Sequence, residues 1–179
     1  CFFFIFLFFA MLKNANIFII SSKLTKFELS NIQSFVKPTH FFTDNKNSHF
    51  NNLYNKILIK FKKTKNPIKQ KLKIKANKNR YIILFTSGTT GTPKGVMLSY
   101  YNLFSRINAN KKFINFSKIQ NVLVTLQLSF GHGLIGNALT PLFSKKNIFL
   151  INLNNAQNLN IFSKIIKKNK INFFCTVPT

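Results

Sequence analysis

Between Thr86 and Gly95 the chain reads Thr-Ser-Gly-Thr-Thr-Gly-Thr-Pro-Lys-Gly, five hydroxyl side chains and three glycines around one proline and one lysine. These are the parts needed to hold a polyphosphate. Gly88, Gly91 and Gly95 permit turns with positive φ and let amide N–H groups converge on an anion. Thr86, Ser87, Thr89, Thr90 and Thr92 add hydroxyl donors, and Lys94 adds a full positive charge. The spacing is not that of a Walker loop, because Pro93 stands where the second glycine belongs and Gly95, not Ser or Thr, follows Lys94. The dinucleotide fingerprint G-x-G-x-x-G is also missing from this run. A surface linker has a similar composition, but a linker has no need of Pro93 and Lys94 at fixed places behind an apolar strand.

His132, between Gly131 and Gly133, is the other residue that invites a chemical role. The acidic residues are Glu28 and Asp44, both far from it in sequence. A pocket-lining or structural histidine therefore outweighs a general base. His40, His49, Cys1 and Cys175 show no metal-ligand spacing, so no metal site is expected.

The loop needs a rigid support, and the apolar pattern supplies one. Tyr81 to Phe85 reads as a buried strand running straight into Thr86, which sets the loop at the carboxyl edge of a sheet, where open α/β folds bind ligands. Upstream, Cys1 to Leu12 reads as a buried helix, Ile17 to Ile20 as a strand, Lys26 to Val36 as a helix and His40 to Thr43 as a strand. Residues 44–80 are rich in Lys and Asn and read as a variable connection, with one apolar stretch at Leu53 to Phe61. Downstream, Ser99 caps a helix through about Lys112. Strands follow at Val122 to Leu128 and Ile148 to Ile151, then a helix at about Leu159 to Lys170 and a strand at Asn172 to Val177. Alternating strands and helices imply an α/β fold, a partial sheet layered by flanking helices.

The 179 residues are 46% hydrophobic, enough for a substantial core. The charge is extreme, with 27 Lys+Arg against 2 Asp+Glu. That balance admits a second reading, a polyanion- or nucleic-acid-binding protein using the Lys-rich stretch Lys56 to Arg80. Against it, the lysines are spread along the chain among Asn, Ile and Phe, and no aromatic residue lies between Lys62 and Arg80. The run Cys1 to Leu12 has no basic segment before it, no small-residue cleavage pattern after it, and falls short of the roughly 20 apolar residues that cross a bilayer. A packed helix is favoured over a membrane anchor. Two cysteines fit a reducing, cytoplasmic setting. Cys1 stands where an initiator methionine belongs, so a lost N-terminus is expected.

The run TSGTTGTPKGV, Thr86 to Val96, resembles the signature loop of the adenylate-forming superfamily, which comprises acyl-CoA synthetases, peptide-synthetase adenylation domains and luciferases. MLKNANIFII (Met11 to Ile20) is similar to the Leu-Lys-Ala-Gly segment and following strand of that family, with Ala15 in place of the glycine. LQLSFGHGLIG (Leu126 to Gly136) resembles the segment reading roughly Pro-Leu-Phe-His-x-x-Gly-Leu. Thr140-Pro141-Leu142 and Thr176 to Thr179 also look like family sequence.

The resemblance implies that the chain is an incomplete N-terminal AMP-binding domain, the C-terminal domain being absent. It implies a ligase reaction in which a carboxylate attacks ATP to give an acyl-adenylate, after which CoA or a carrier-protein thiol takes the acyl group. Thr86 to Thr92, Lys94 and Gly95 would hold the ATP phosphates, and Phe130, His132 and Gly133 would line the acyl pocket. Mg²⁺ would assist, its ligands lying outside this chain. The Tyr-Gly-x-Thr-Glu segment and the ribose-binding Asp of the family do not occur here, so this stretch alone is expected to be inactive. No nucleic-acid partner and no membrane span are implied.

Overall fold

A computed structural model describes residues 2–21, 23–42, 73–86, 94–151 and 159–176. They form two compact units, one made of Cys1–Ile20, Ile74–Thr86 and Gly95–Thr179, the other of Ser21–Lys73 and Ser87–Lys94.

The larger unit starts with α1 (Phe2–Leu12), whose eleven residues are all apolar. Phe4, Leu7 and Met11, at helical spacing, are buried. Next comes β1 (Ile17–Ile19), which pairs in parallel with β2 (Tyr81–Thr86) in the register Ile17 to Ile82 and Ile19 to Leu84. β3 (Lys94–Ser99) lies on the other side of β2, so the sheet order is β1-β2-β3. The Tyr100 amide donates to Arg80 O just before β2, while Gly95 lies against Phe85 near the far end of β2. β2 and β3 therefore run in opposite directions.

α3 (Tyr100–Phe113) follows at once, because the hydroxyl of Ser99 accepts from the Asn102 amide and caps the helix as expected. Tyr100, Leu103 and Ile107 are buried on its inner face. They join Ile82, Leu84, Val124, Leu134 and Leu139 in one cluster with the inner face of α1. Each fully buried side chain of this size stabilises the fold by about 1.5–3 kcal/mol. Tyr100 also closes the amino edge of the first sheet, since its hydroxyl donates to Ala15 O ahead of β1. Burial pushes this phenol up to about 12, against a smaller downward pull from Arg80.

A short 3-10 turn (Phe116–Lys118) leads into β4 (Asn121–Val124), the centre of a second, all-parallel sheet. β4 pairs with β5 (Asn147–Leu150) on one side and β6 (Phe173–Phe174) on the other. The crossovers carry helices: a π-helix, π1 (His132–Leu139), continued by α4 (Thr140–Phe143) between β4 and β5, and α5 (Leu159–Lys168) between β5 and β6. At the amino edge, the Asn172 side-chain oxygen accepts from the amides of Gln120 and Asn121. Asn121 in turn accepts from Asn147 Nδ2 at 2.8 Å. Asparagine is a poor strand former in general, yet here the short amide side chains tie the starts of three strands together.

The smaller unit contributes α2 (Lys26–Val36), opened by a capping box between Thr25 and Glu28. The Thr25 amide and then its hydroxyl donate to the Glu28 carboxylate and hold it below the usual carboxylate range.

The α/β class and most elements fall where the apolar periodicity puts them. Three expected strands are shorter and two elements are new. The strand expected over Val122 to Leu128 ends at Val124, because Asn137 captures the next two amides. The strand expected at Asn172 to Val177 is reduced to Phe173–Phe174, with Val177 outside the described residues. His40 to Thr43 is a single bridge residue, Phe41, and Thr43 is not described. Finally, β3 and π1 have no counterpart in the sequence reading. β3 escaped it because Lys94 to Met97 are all exposed, which leaves no period-two burial to read.

Candidate functional site

β2 ends, at the carboxyl end of the first sheet, on Thr86, the first residue of the hydroxyl- and glycine-rich run. Ile82, Ile83 and Leu84 are buried, and Thr86 is the last strand residue. Ser87, Gly88, Thr89, Thr90, Gly91 and Thr92 lie outside the described residues. Lys94 and Gly95 do not belong to the loop, contrary to the expectation from sequence: they open β3. The physical reason is visible at Gly95. A Cβ there would sit 3.3 Å from Ile83 Cγ2 and 3.4 Å from Phe85 Cε1, so the absence of a side chain lets β3 lie close over β2. β2 and β3 are thus antiparallel neighbours, with the exposed Lys94 at the start of the returning strand.

The second segment singled out by sequence lies beside that strand. β4 ends at Val124, and residues 125–131 turn into π1. A Cβ on Gly131 would meet Leu84 Cδ1 of β2 at 3.7 Å. The turn that carries Phe130 and His132 therefore stands next to the strand that feeds the loop. Phe130 is 44% exposed and His132 is exposed.

Gly133 has a packing role. It is buried, and a Cβ on it would fall 2.1 Å from Gln127 O and 2.8 Å from Gln127 C. No side chain fits there, since the obstacle is backbone. Gly133 is what allows the start of π1 to fold back over the exit of β4.

Sequence reasoning missed Asn137, a fully buried residue at the centre of this arrangement. Its Oδ1 accepts from the Thr125 amide at 2.9 Å and the Leu126 amide at 3.4 Å, and its Nδ2 donates to Leu123 O at 3.2 Å. One amide side chain thus bonds three backbone groups where β4 ends. The Thr125 hydroxyl donates to Cys175 O, tying the same point to the segment after β6. Burial pushes the Cys175 thiol up, which disfavours its nucleophilic thiolate. A buried Asn in a crossover helix was the available signal, but only its depth distinguishes it from the many surface asparagines.

Among the described residues no cluster of His, Cys, Asp or Glu could hold a metal ion, and Glu28 is engaged by Thr25. The described residues therefore do not offer a carboxylate for Mg²⁺. An open depression of about 370 Å³ lined by Lys111, Phe116, Phe143, Lys145 and Lys146 lies at the amino edge of the second sheet, away from the exit of β4. Its lysines sit at the carboxyl-terminal ends of α3 and α4, where helix dipoles already favour cations.

A family described as AMP-binding enzyme matches residues 2–179. The mitochondrial malonate–CoA ligase ACSF3 of Xenopus laevis is 39% identical over 62 residues, 35% of this chain and 11% of that protein. D-alanine–D-alanyl carrier protein ligase of Lacticaseibacillus rhamnosus is 57% identical over 35 residues, 20% of this chain and 7% of that protein. Among solved structures, o-succinylbenzoate CoA synthetase of Bacillus subtilis with its acyl-adenylate superposes with a TM-score of 0.71 at 15% identity, covering 92% of this chain and 43% of that one. The fatty acyl-adenylate ligase of L. pneumophila, with acyl adenylate and pyrophosphate, gives 0.70 at 21% identity over 92% of this chain and 31% of that one. The chain spans less than half the length of these relatives, and the fold is that of their N-terminal region.

Proposed function

Because the chain belongs to the AMP-binding enzyme family, we propose that it forms the phosphate-holding part of an ATP-dependent carboxylate-activating ligase. In the first step a carboxylate oxygen attacks the α-phosphorus of ATP. The new O–P bond gives an acyl-adenylate, and the bond from the α-phosphorus to the bridging oxygen breaks, releasing pyrophosphate. In the second step a thiol, on CoA or on a carrier protein, takes the acyl group and AMP leaves. The acceptor is inferred from relatives named as CoA ligases and carrier-protein ligases.

One observation carries this reading. β2 ends at Thr86, the first residue of the hydroxyl- and glycine-rich run, at the carboxyl end of a sheet, and the Phe130–His132 turn stands beside that strand through Gly131 and Leu84. In the proposal, amide and hydroxyl donors of Thr86, Ser87, Gly88, Thr89, Thr90, Gly91 and Thr92, with Lys94 and Gly95, take the β- and γ-phosphates. They stabilise negative charge as it accumulates on the leaving pyrophosphate. Phe130 and His132 border the acyl group, and Gly133 fixes the turn that carries them. No step is assigned to Mg²⁺ through the residues described here.

The test is carboxylate-dependent ATP–pyrophosphate exchange by the whole protein in which this chain stands, screened across short-chain, aromatic and amino acids. Exchange with at least one class is the expected result. Hydrolysis of ATP without carboxylate-dependent exchange would overturn the assignment.

A further inference from the structure

α1 has two faces and no polar residue on either. The inner face is buried in the core, while the outer face carries Ile5 and Phe9, 49% and 54% exposed and one helical turn apart. Lys13, in the turn that ends the helix, holds its ammonium 5.9 Å from the centre of the Phe9 ring. The face is thus apolar with a cation at its edge.

Charge decides what can cover it. Glu28 and Asp44, the chain's two carboxylates, both belong to the other unit, so the unit that bears α1 has lysines and arginines with no acidic side chain to offset them. A second copy of the chain would bring like charge against like charge. A nucleic acid would satisfy the charge but offers phosphates, not hydrocarbon, to Ile5 and Phe9. An anionic bilayer offers both, an acidic surface and an apolar layer beneath it.

We propose that α1 seats the chain on an anionic lipid surface. The helix lies in the plane of the headgroups, with Ile5 and Phe9 directed into the acyl boundary and Lys13 among the phosphates. It does not cross: eleven residues at about 1.5 Å each reach about 16 Å, half of the ~30 Å hydrocarbon core. No helix among the described residues is long and apolar enough to span. Two half-exposed side chains are a small apolar area, so attachment depends on charge as well and is released by salt.

The chain contains no tryptophan, so one reporter at a time can be introduced. Phe9→Trp labels the proposed face, and Phe113→Trp, at a position 89% exposed at the end of α3, is the control. Phosphatidylserine-containing vesicles should shift the Phe9→Trp emission to the blue, and brominated acyl chains should quench it. Neither effect should appear with pure phosphatidylcholine, at high salt, or for Phe113→Trp. Ile5→Gln with Phe9→Gln, checked for an unchanged melting transition, should weaken vesicle binding roughly tenfold. The proposal is overturned if the double variant binds like the parent, or if only Phe113→Trp responds. It is equally overturned if double-stranded DNA, or self-association without lipid, produces the same shift at Phe9→Trp.

Discussion

The sequences at the exits of β2 and β4 are built on opposite principles. At the end of β2 the chemistry lies in the residues themselves: hydroxyls, glycines and a lysine in a fixed order, which any α/β sheet could present. At the end of β4 the residues are ordinary, and what matters is how closely they approach. Gly133 is required by a carbonyl 2.1 Å from where its Cβ would be, and Asn137 is bonded to three backbone groups at the end of β4. In the proposed function, the first kind of segment should tolerate changes in its support and fail when a donor is lost. The second tolerates changes of surface chemistry and fails when geometry is disturbed.

Mutations can break that contrast. Gly133→Ala should have the largest effect, since backbone cannot rotate out of the way of the new methyl group. We expect a loss of about 4 kcal/mol, at the upper end of overpacking costs, read by chemical denaturation. A loss below about 1 kcal/mol would mean that the turn repacks freely. Lys94→Ala should leave stability nearly unchanged and slow adenylate formation by about 2–4 kcal/mol of activation free energy. Pyrophosphate exchange should suffer far more than acyl transfer from preformed adenylate, and equal losses in both half-reactions would remove Lys94 from the phosphate site.

How much was legible beforehand follows the same division. The strand β2, the Ser99 cap and the burial of the inner face of α1 could be read because each rests on a local pattern, apolar spacing or a capping hydroxyl. β3 was illegible because Val96 and Met97 are exposed, 51% and 60%, so the strand shows no alternation. π1 was illegible because His132 to Leu139 contains two glycines and an asparagine that a 3.6-residue pattern cannot place. Asn137 looked like one asparagine among many, and its role appears only when β4 and π1 come together.

Two smaller predictions sharpen the comparison. Asn137→Leu keeps the volume but strands the amides of Thr125 and Leu126 and the carbonyl of Leu123, with an expected cost of about 2–3 kcal/mol. If Asn137→Leu were neutral in thermal melting, water would have to reach those groups and the second segment would be less tightly closed than described. Tyr100→Phe removes one bond to Ala15 O at the opposite edge of the first sheet, at about 1 kcal/mol. The same residue gives a pH signature. The folded state holds the phenol near 12 instead of 10, so its contribution is complete below pH 10 and is lost as the pH rises toward 12. Stability profiles of parent and Tyr100→Phe should converge over that interval.

The π-helix has a consequence for how this family member can change over time. In π1 the backbone bonds span five residues instead of four, as where the Thr140 amide reaches Ile135 O. The segment therefore spends one more residue on a turn than an α-helix would. Removing a single residue between His132 and Leu139 would let the chain relax into the commoner helix and still connect β4 to β5. It would also turn Asn137 out of line with Thr125, so the strand exit would lose its clasp. A one-codon deletion, ordinarily tolerated in a surface crossover, is here a change in the shape of the site, and insertions or deletions in relatives should avoid this stretch while accumulating in the Lys/Asn-rich connection.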